Sequence, residues 1–169
     1  VSAPISVGSL SILNGAQVSL GMGADASLAA DSVVVENGKL ILGGEGTEAN
    51  WNALKNITIK EDGVLELAYG NGLNAAEGDT LTNILLQGGE ISLRNAGGAH
   101  KTLSAHITVD GDSTMRGSVY GEGGSTINGT ISGDGVLSFV KTTDGYSNPL
   151  NINSTISDGA EGALGLHVV

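Results

Sequence analysis

The sequence predicts an all-β chain wound into a parallel β-helix, a β-solenoid of about seven rungs of 22–27 residues with residues 1–169 as a single domain. Three observations predict it. A two-strand unit recurs along the whole chain, its strands alternate apolar with polar residues, and glycine, 28 of 169 residues, gathers in the turns. Glycine at that level is more than twice average usage, and self-similarity at a fixed period of 20–50 residues is the signature of stacked repeats.

The units run in order. Leu10-Ser11-Ile12 is followed by Val18-Ser19-Leu20, then Val33-Val34-Val35 by Leu40-Ile41-Leu42, and Ile57-Thr58-Ile59 by Leu65-Glu66-Leu67. Ile84-Leu85-Leu86 precedes Ile91-Ser92-Leu93, and Ile107-Thr108-Val109 precedes Ser113-Thr114-Met115. Ile131 with Leu137-Ser138-Phe139 and Ile156 with Leu164-Gly165-Leu166 complete seven units. Period-2 alternation belongs to a strand with one buried face, and no stretch shows a helical period. The expected apolar columns are Ile59, Leu86, Val109 and Ile131 on one strand, and Leu67, Leu93, Met115 and Phe139 on the other. Glycines at 15, 38, 63, 88, 89, 111, 133, 135, 159 and 162 stand between the paired strands, where tight bends call for φ > 0. A third short strand or bend is expected at Leu54, Leu81, Leu103, Ile127 and Ile152. Seven rungs spaced by roughly 4.8 Å make a rod about 34 Å long.

Three residues before the first-strand mark stand Asn56, Asn83, Asn128 and Asn153, with Ser32 and His106 in the same place elsewhere. Stacked amides hydrogen-bond along a solenoid axis, so these are expected in one ladder. The ladder also accounts for the three sequons that begin at Asn56, Asn128 and Asn153.

At Asn128-Gly129-Thr130-Ile131-Ser132-Gly133-Asp134-Gly135-Val136-Leu137-Ser138-Phe139, and again from Asn153 to Leu166, the chain resembles the autotransporter-associated β-strand repeats of bacterial surface and secreted proteins. The likeness covers residues 125–169 well and 1–124 in pattern only. It implies a right-handed parallel β-helix in an exported bacterial protein, at the cell surface or outside the cell. It implies no particular activity, because adhesins, enzyme carriers and plain stalks share these repeats. With no polar cap evident at either end, the chain reads as a piece of a longer passenger, whose partners include further rungs or domains of the parent.

Composition narrows the chemistry. Seven basic residues against 18 acidic ones give a net charge of −11, which disfavours a nucleic-acid partner. The absence of cysteine excludes disulfides, thiolate metal sites and Cys nucleophiles. No apolar run approaches the ~20 residues of a membrane helix, so no membrane insertion of this segment is expected, and the N-terminus lacks the features of a signal peptide.

Gly21-Met22-Gly23-Ala24-Asp25-Ala26 matches a dinucleotide fingerprint, but only about eight residues separate it from the next strand, too few for a βαβ unit. Asp110-Gly111-Asp112 lacks the rest of a calcium loop, and Glu77 with Asp79 is a small acidic pair. Neither supports a metal site, and no cofactor is expected. Glu66 stands on a strand face with Ser92, Thr114 and Ser138 expected to continue its column, leaving no second carboxylate for a glycosidase. The chain is therefore read as no enzyme, with a fragment of a polysaccharide lyase or glycoside hydrolase as the third alternative.

The connections from second strand to next first strand are long, 15–19 residues, and all leave from one edge of the rod. They carry Trp51, Tyr69, Tyr120 and Tyr146, with Asn71, Asn74 and His100 nearby. Arg94 and Arg116 fall just past successive second strands; stacked one rung apart they would sit about 5 Å from each other and suit a sulfated or uronate glycan. Aromatic faces beside hydrogen-bonding groups suit sugar rings, and loops on a rigid scaffold often carry recognition. The expected function is a non-catalytic extracellular binding or adhesion module for a polysaccharide or glycan, using these nine residues. The alternative is a ligand-free structural spacer.

Overall fold

The computed structural model describes residues 5–20, 28–43, 53–68, 73, 80–95, 101–119, 124–141 and 149–169. All the regular elements among them are strands, and the paired strands run parallel. One sheet takes β1 (Ile5–Leu13), β3 (Leu28–Glu36), β5 (Asn56–Lys60), β7 (Thr82–Gln87), β9 (Lys101–Val109), β11 (Ser125–Gly133) and β13 (Leu150–Ile152) in that order, with β14 (Thr155–Asp158) also paired to β11. The other takes β2 (Gln17–Leu20), β4 (Lys39–Leu42), β6 (Val64–Leu67), β8 (Glu90–Asn95), β10 (Ser113–Val119), β12 (Val136–Lys141) and β15 (Gly165–Val168). The chain crosses from one sheet to the other at each short turn, and each pass stacks on the one before. This is a β-solenoid.

Alternation decides which side chains go inside. In β5, Ile57 and Ile59 are buried while Asn56 faces out; in β6, Leu65 and Leu67 are buried. Both sheets send such residues into one continuous core running from Ile12 to Phe139. No strand pair could bury its inner face alone, so the core exists only through stacking.

The columns differ from the expected ones by a slip of two residues. Ile59, Leu86 and Val109 do stack, but the residue beside Val109 is Gly133, not Ile131. Ile131 stacks on Ile107, in the column of Leu10, Val33, Ile57 and Ile84. In the second sheet Leu67 meets Leu93, whereas Met115 and Phe139 continue the column of Leu65 and Ile91. The eight residues expected in the two columns are all buried. A two-residue slip preserves the face and changes only the neighbour, so alternation cannot detect it. The missing apolar residue at 133 has a steric cause: a Cβ there would lie 2.0 Å from the Val109 carbonyl oxygen.

The turn glycines also divide into two kinds. Gly88 and Gly111 adopt left-handed backbone, φ 87° and 108°. In two earlier turns Asn37 and Asp62 take the left-handed residue, φ 44° and 57°, as short polar side chains can. Gly63 is then required for a different reason, since a Cβ would meet the Val35 carbonyl oxygen of the neighbouring pass at 2.3 Å.

Among the expected third-strand positions, Leu103, Ile127 and Ile152 do align, inside continuous strands or in β13. Leu54 forms a single bridge to Ala30 and is buried. Leu73, from a connection, is also buried in the core, and its carbonyl accepts the Ser104 amide at 2.6 Å.

Candidate functional site

The inner ends of the long connections meet the first sheet at a kink. In β3, Ala30 and Val33 both face the core, and the two residues between them, Asp31 and Ser32, do not. Leu54 and Ile57 repeat this with Lys55 and Asn56 outside. Two successive outward residues break the pleat and leave a concave strip on the outer surface. A cavity of about 580 Å³ occupies it.

Four successive passes line that cavity: Ser6 and Val7, then Ala29 to Asp31, then Ala53 to Asn56, then Thr80, Leu81 and Asn83. Because each contribution comes from the next strand in the sheet order, the groove crosses the strands and follows the rod axis. Val7, Ala29, Ala53 and Leu81 give it apolar surface over the buried Ala30 and Leu54; the outward side chains Ser6, Ala29 and Ala53 are small and leave it open. Lys55 Nζ lies 2.6 Å from Asp31 Oδ1, both side chains well exposed at the rim. Asn56 donates from Nδ2 to the Asp31 carbonyl at 2.9 Å, and Asn83 Nδ2 donates to Asn56 Oδ1 at 3.2 Å.

These two Asn residues are the half of the expected ladder that stacks. Asn56 pairs with Asn83, and Asn83 with His106, whose Nδ1 is 2.9 Å from Thr130 Oγ1. Asn128 and Asn153 do not join them. Asn128 aligns with Ser104, two residues away along the strand, and the Asn153 amide bonds to the Ile127 carbonyl one pass further on. The cause is the two-residue slip at Gly133, which also moved the reference position used to find them.

Of the nine residues expected at a binding edge, Trp51, Tyr69, Asn71, Asn74, His100, Tyr120 and Tyr146 lie outside the described residues. Arg94 aligns with Ser118 and Arg116 with Ser92, so the two arginines are not stacked neighbours. Arg116 is held by Glu90 instead, with Nε to Oε1 and Nη2 to Oε2 both 3.0 Å. That bidentate bond raises the guanidinium pKa above its ordinary value, burial opposing it. The motive for an anionic ligand at stacked arginines is thereby removed.

Glu66 is also placed differently. Its column continues through Ser92 to Arg116, not Thr114, and it is 4% exposed with Lys39 Nζ at 2.5 Å. Asp31, Glu36, Glu66 and Glu90 thus each face a Lys or Arg across one pass. Among the described residues no group of three His, Asp or Glu side chains could hold a metal ion, and no helix is long and apolar enough to cross a membrane. Asp110, read against a calcium loop, accepts a hydrogen bond from Gln87 Nε2 at 2.9 Å. The fingerprint at residues 21–26 and the pair Glu77 and Asp79 lie outside the described residues.

Sequence reasoning passed over Ser6, Ala29, Asp31, Lys55 and Thr80. A signal was present: apolar, polar, polar, apolar at Ala30–Val33 and Leu54–Ile57 interrupts strict alternation at the same place in successive repeats.

No family model, curated protein or solved structure matches the chain.

Proposed function

We propose that this chain is a non-catalytic binding module of an exported bacterial protein, a right-handed parallel β-helix of about seven rungs that holds a polysaccharide or glycan. The groove on the first sheet carries the reading. An apolar lining with amide and hydroxyl groups at its edge matches the two-sided chemistry of a sugar ring, which presents C–H faces and hydroxyl edges. Asparagine amides supply both donors and acceptors to such hydroxyls. Small side chains keep the strip open over four passes, and rigid stacked strands hold its polar groups in place. The carboxylates paired with Lys or Arg favour binding over acid–base catalysis. The resemblance of residues 125–169 to autotransporter-associated repeats supports the surface location.

The test is a glycan array followed by affinity electrophoresis, comparing the parent with an Asn56→Ala, Asn83→Ala double variant whose fold is checked by circular dichroism. At least a tenfold loss of affinity is expected, since two hydrogen-bonding groups leave the groove. Undiminished binding would place the site away from this groove. A parent that binds nothing on the array would leave the structural-spacer reading.

A further inference from the structure

We infer that the groove takes a neutral, linear, extended glycan lying along the rod axis, with successive sugar units matched to successive passes of the chain. This rests on the glycan-binding reading above and adds to it the shape and charge of the ligand.

Direction comes from the lining. Ser6, Ala29, Ala53 and Thr80 belong to four consecutive passes, while along any one strand the lining runs over at most four residues, about 10 Å, so the longer reach of the cavity is across the strands. Three inter-strand steps make about 14 Å of groove. A β-linked hexose in an extended chain advances by close to one such step, so the groove spans about three or four sugar units. A compact or branched ligand would use this length poorly.

Charge comes from the same residues. Among the described residues Asp31 and Lys55 are the formal charges in the lining, and they neutralise each other at 2.6 Å. No charge of that described lining is left over to attract a carboxylate or sulfate. The chain as a whole carries −11, which repels a polyanion at low ionic strength. Arg116, which could have favoured an anionic sugar, lies on the second sheet and is held there by Glu90.

Isothermal titration of the 169-residue chain tests this with cello-, chito- and xylo-oligosaccharides of two to six units, and oligogalacturonates of the same lengths as anionic probes. For at least one neutral series, affinity should rise tenfold or more between two and four units and flatten beyond. It should change less than twofold between low and high salt. Ala53→Leu, which fills the strip at an exposed position, should weaken the four-unit ligand at least tenfold, while Thr114→Leu on the other sheet should not. Equal affinity for two and six units, or preference for oligogalacturonate with strong salt dependence, would overturn this inference and leave glycan binding intact. No binding by any probe would defeat both.

Discussion

The passes up to β7 and those from β9 onward are built from the same two strands, yet they leave the corner differently. Before β5 and within β3 the chain puts two outward residues between core positions, Asp31-Ser32 and Lys55-Asn56, and a groove forms on the outside. From β9 the alternation runs unbroken: Leu103, Ala105 and Ile107 all face inward. In β11 the matching inward residue is Gly129, because a Cβ would meet the Ala105 carbonyl oxygen at 2.2 Å. One residue more or less between the corner and the strand therefore decides whether the surface is concave or flat. Thr82 marks the change. It aligns with Ala105, is buried, and its hydroxyl donates to the Leu54 carbonyl at 2.7 Å.

Burial, by contrast, follows position along the stack and not this division. Ile59 in β5 and Ile131 in β11 are both 0% exposed, whereas Leu13 in β1 is 42%, Ile156 in β14 41% and Leu166 in β15 48%. The middle passes have neighbours on both sides, and the outermost described passes have one.

The largest expected effect breaks the central region. Leu86→Asp places an unpaired carboxylate at a site with no exposure, and should abolish cooperative unfolding in urea and the β-sheet signal in circular dichroism. A cooperatively unfolding variant would refute the burial of this column. A paired measurement comes next. Ile59→Ala should cost about 2–5 kcal/mol by cavity formation, and Ile156→Ala less than about 1 kcal/mol, read from urea midpoints. Equal costs would mean that the middle and the outermost described passes are buried alike in solution. The smallest effect sharpens the boundary between them. Thr82→Val keeps the shape and removes the hydroxyl, so it should cost about 1 kcal/mol and raise amide exchange near Leu54. An unchanged exchange rate there would deny the junction its hydrogen bond.

Much of the fold was legible in the sequence, because burial follows alternation and repeats declare themselves by spacing. Every residue expected in the two core columns is buried. The column assignments were not legible beyond Val109 and Leu93: Ile131 and Gly133 lie on the same face, and a reader looking for apolar residues selects the isoleucine. The groove was less legible still. Its open strip comes from alanines and a serine that carry no chemical signature, and its depth comes from a kink recorded only as two adjacent polar residues. The aromatic residues drew attention to the connections, whereas the described cavity lies where those connections rejoin the sheet.

The backbone hydrogen bonds between passes all point roughly along the rod, which gives the molecule a particular mechanical character. Under tension applied end to end, the passes form a series, and every interface between them bears the whole load. Strength is then set by the weakest interface, not by the sum. In the 169-residue chain the outermost described passes, with Leu13 42% exposed in β1 and Leu166 48% in β15, should part before the middle ones, each release lengthening the chain by about one repeat. A pulling trace would consequently read as a staircase that works inward from the outer passes, with length shed under force before the middle gives way.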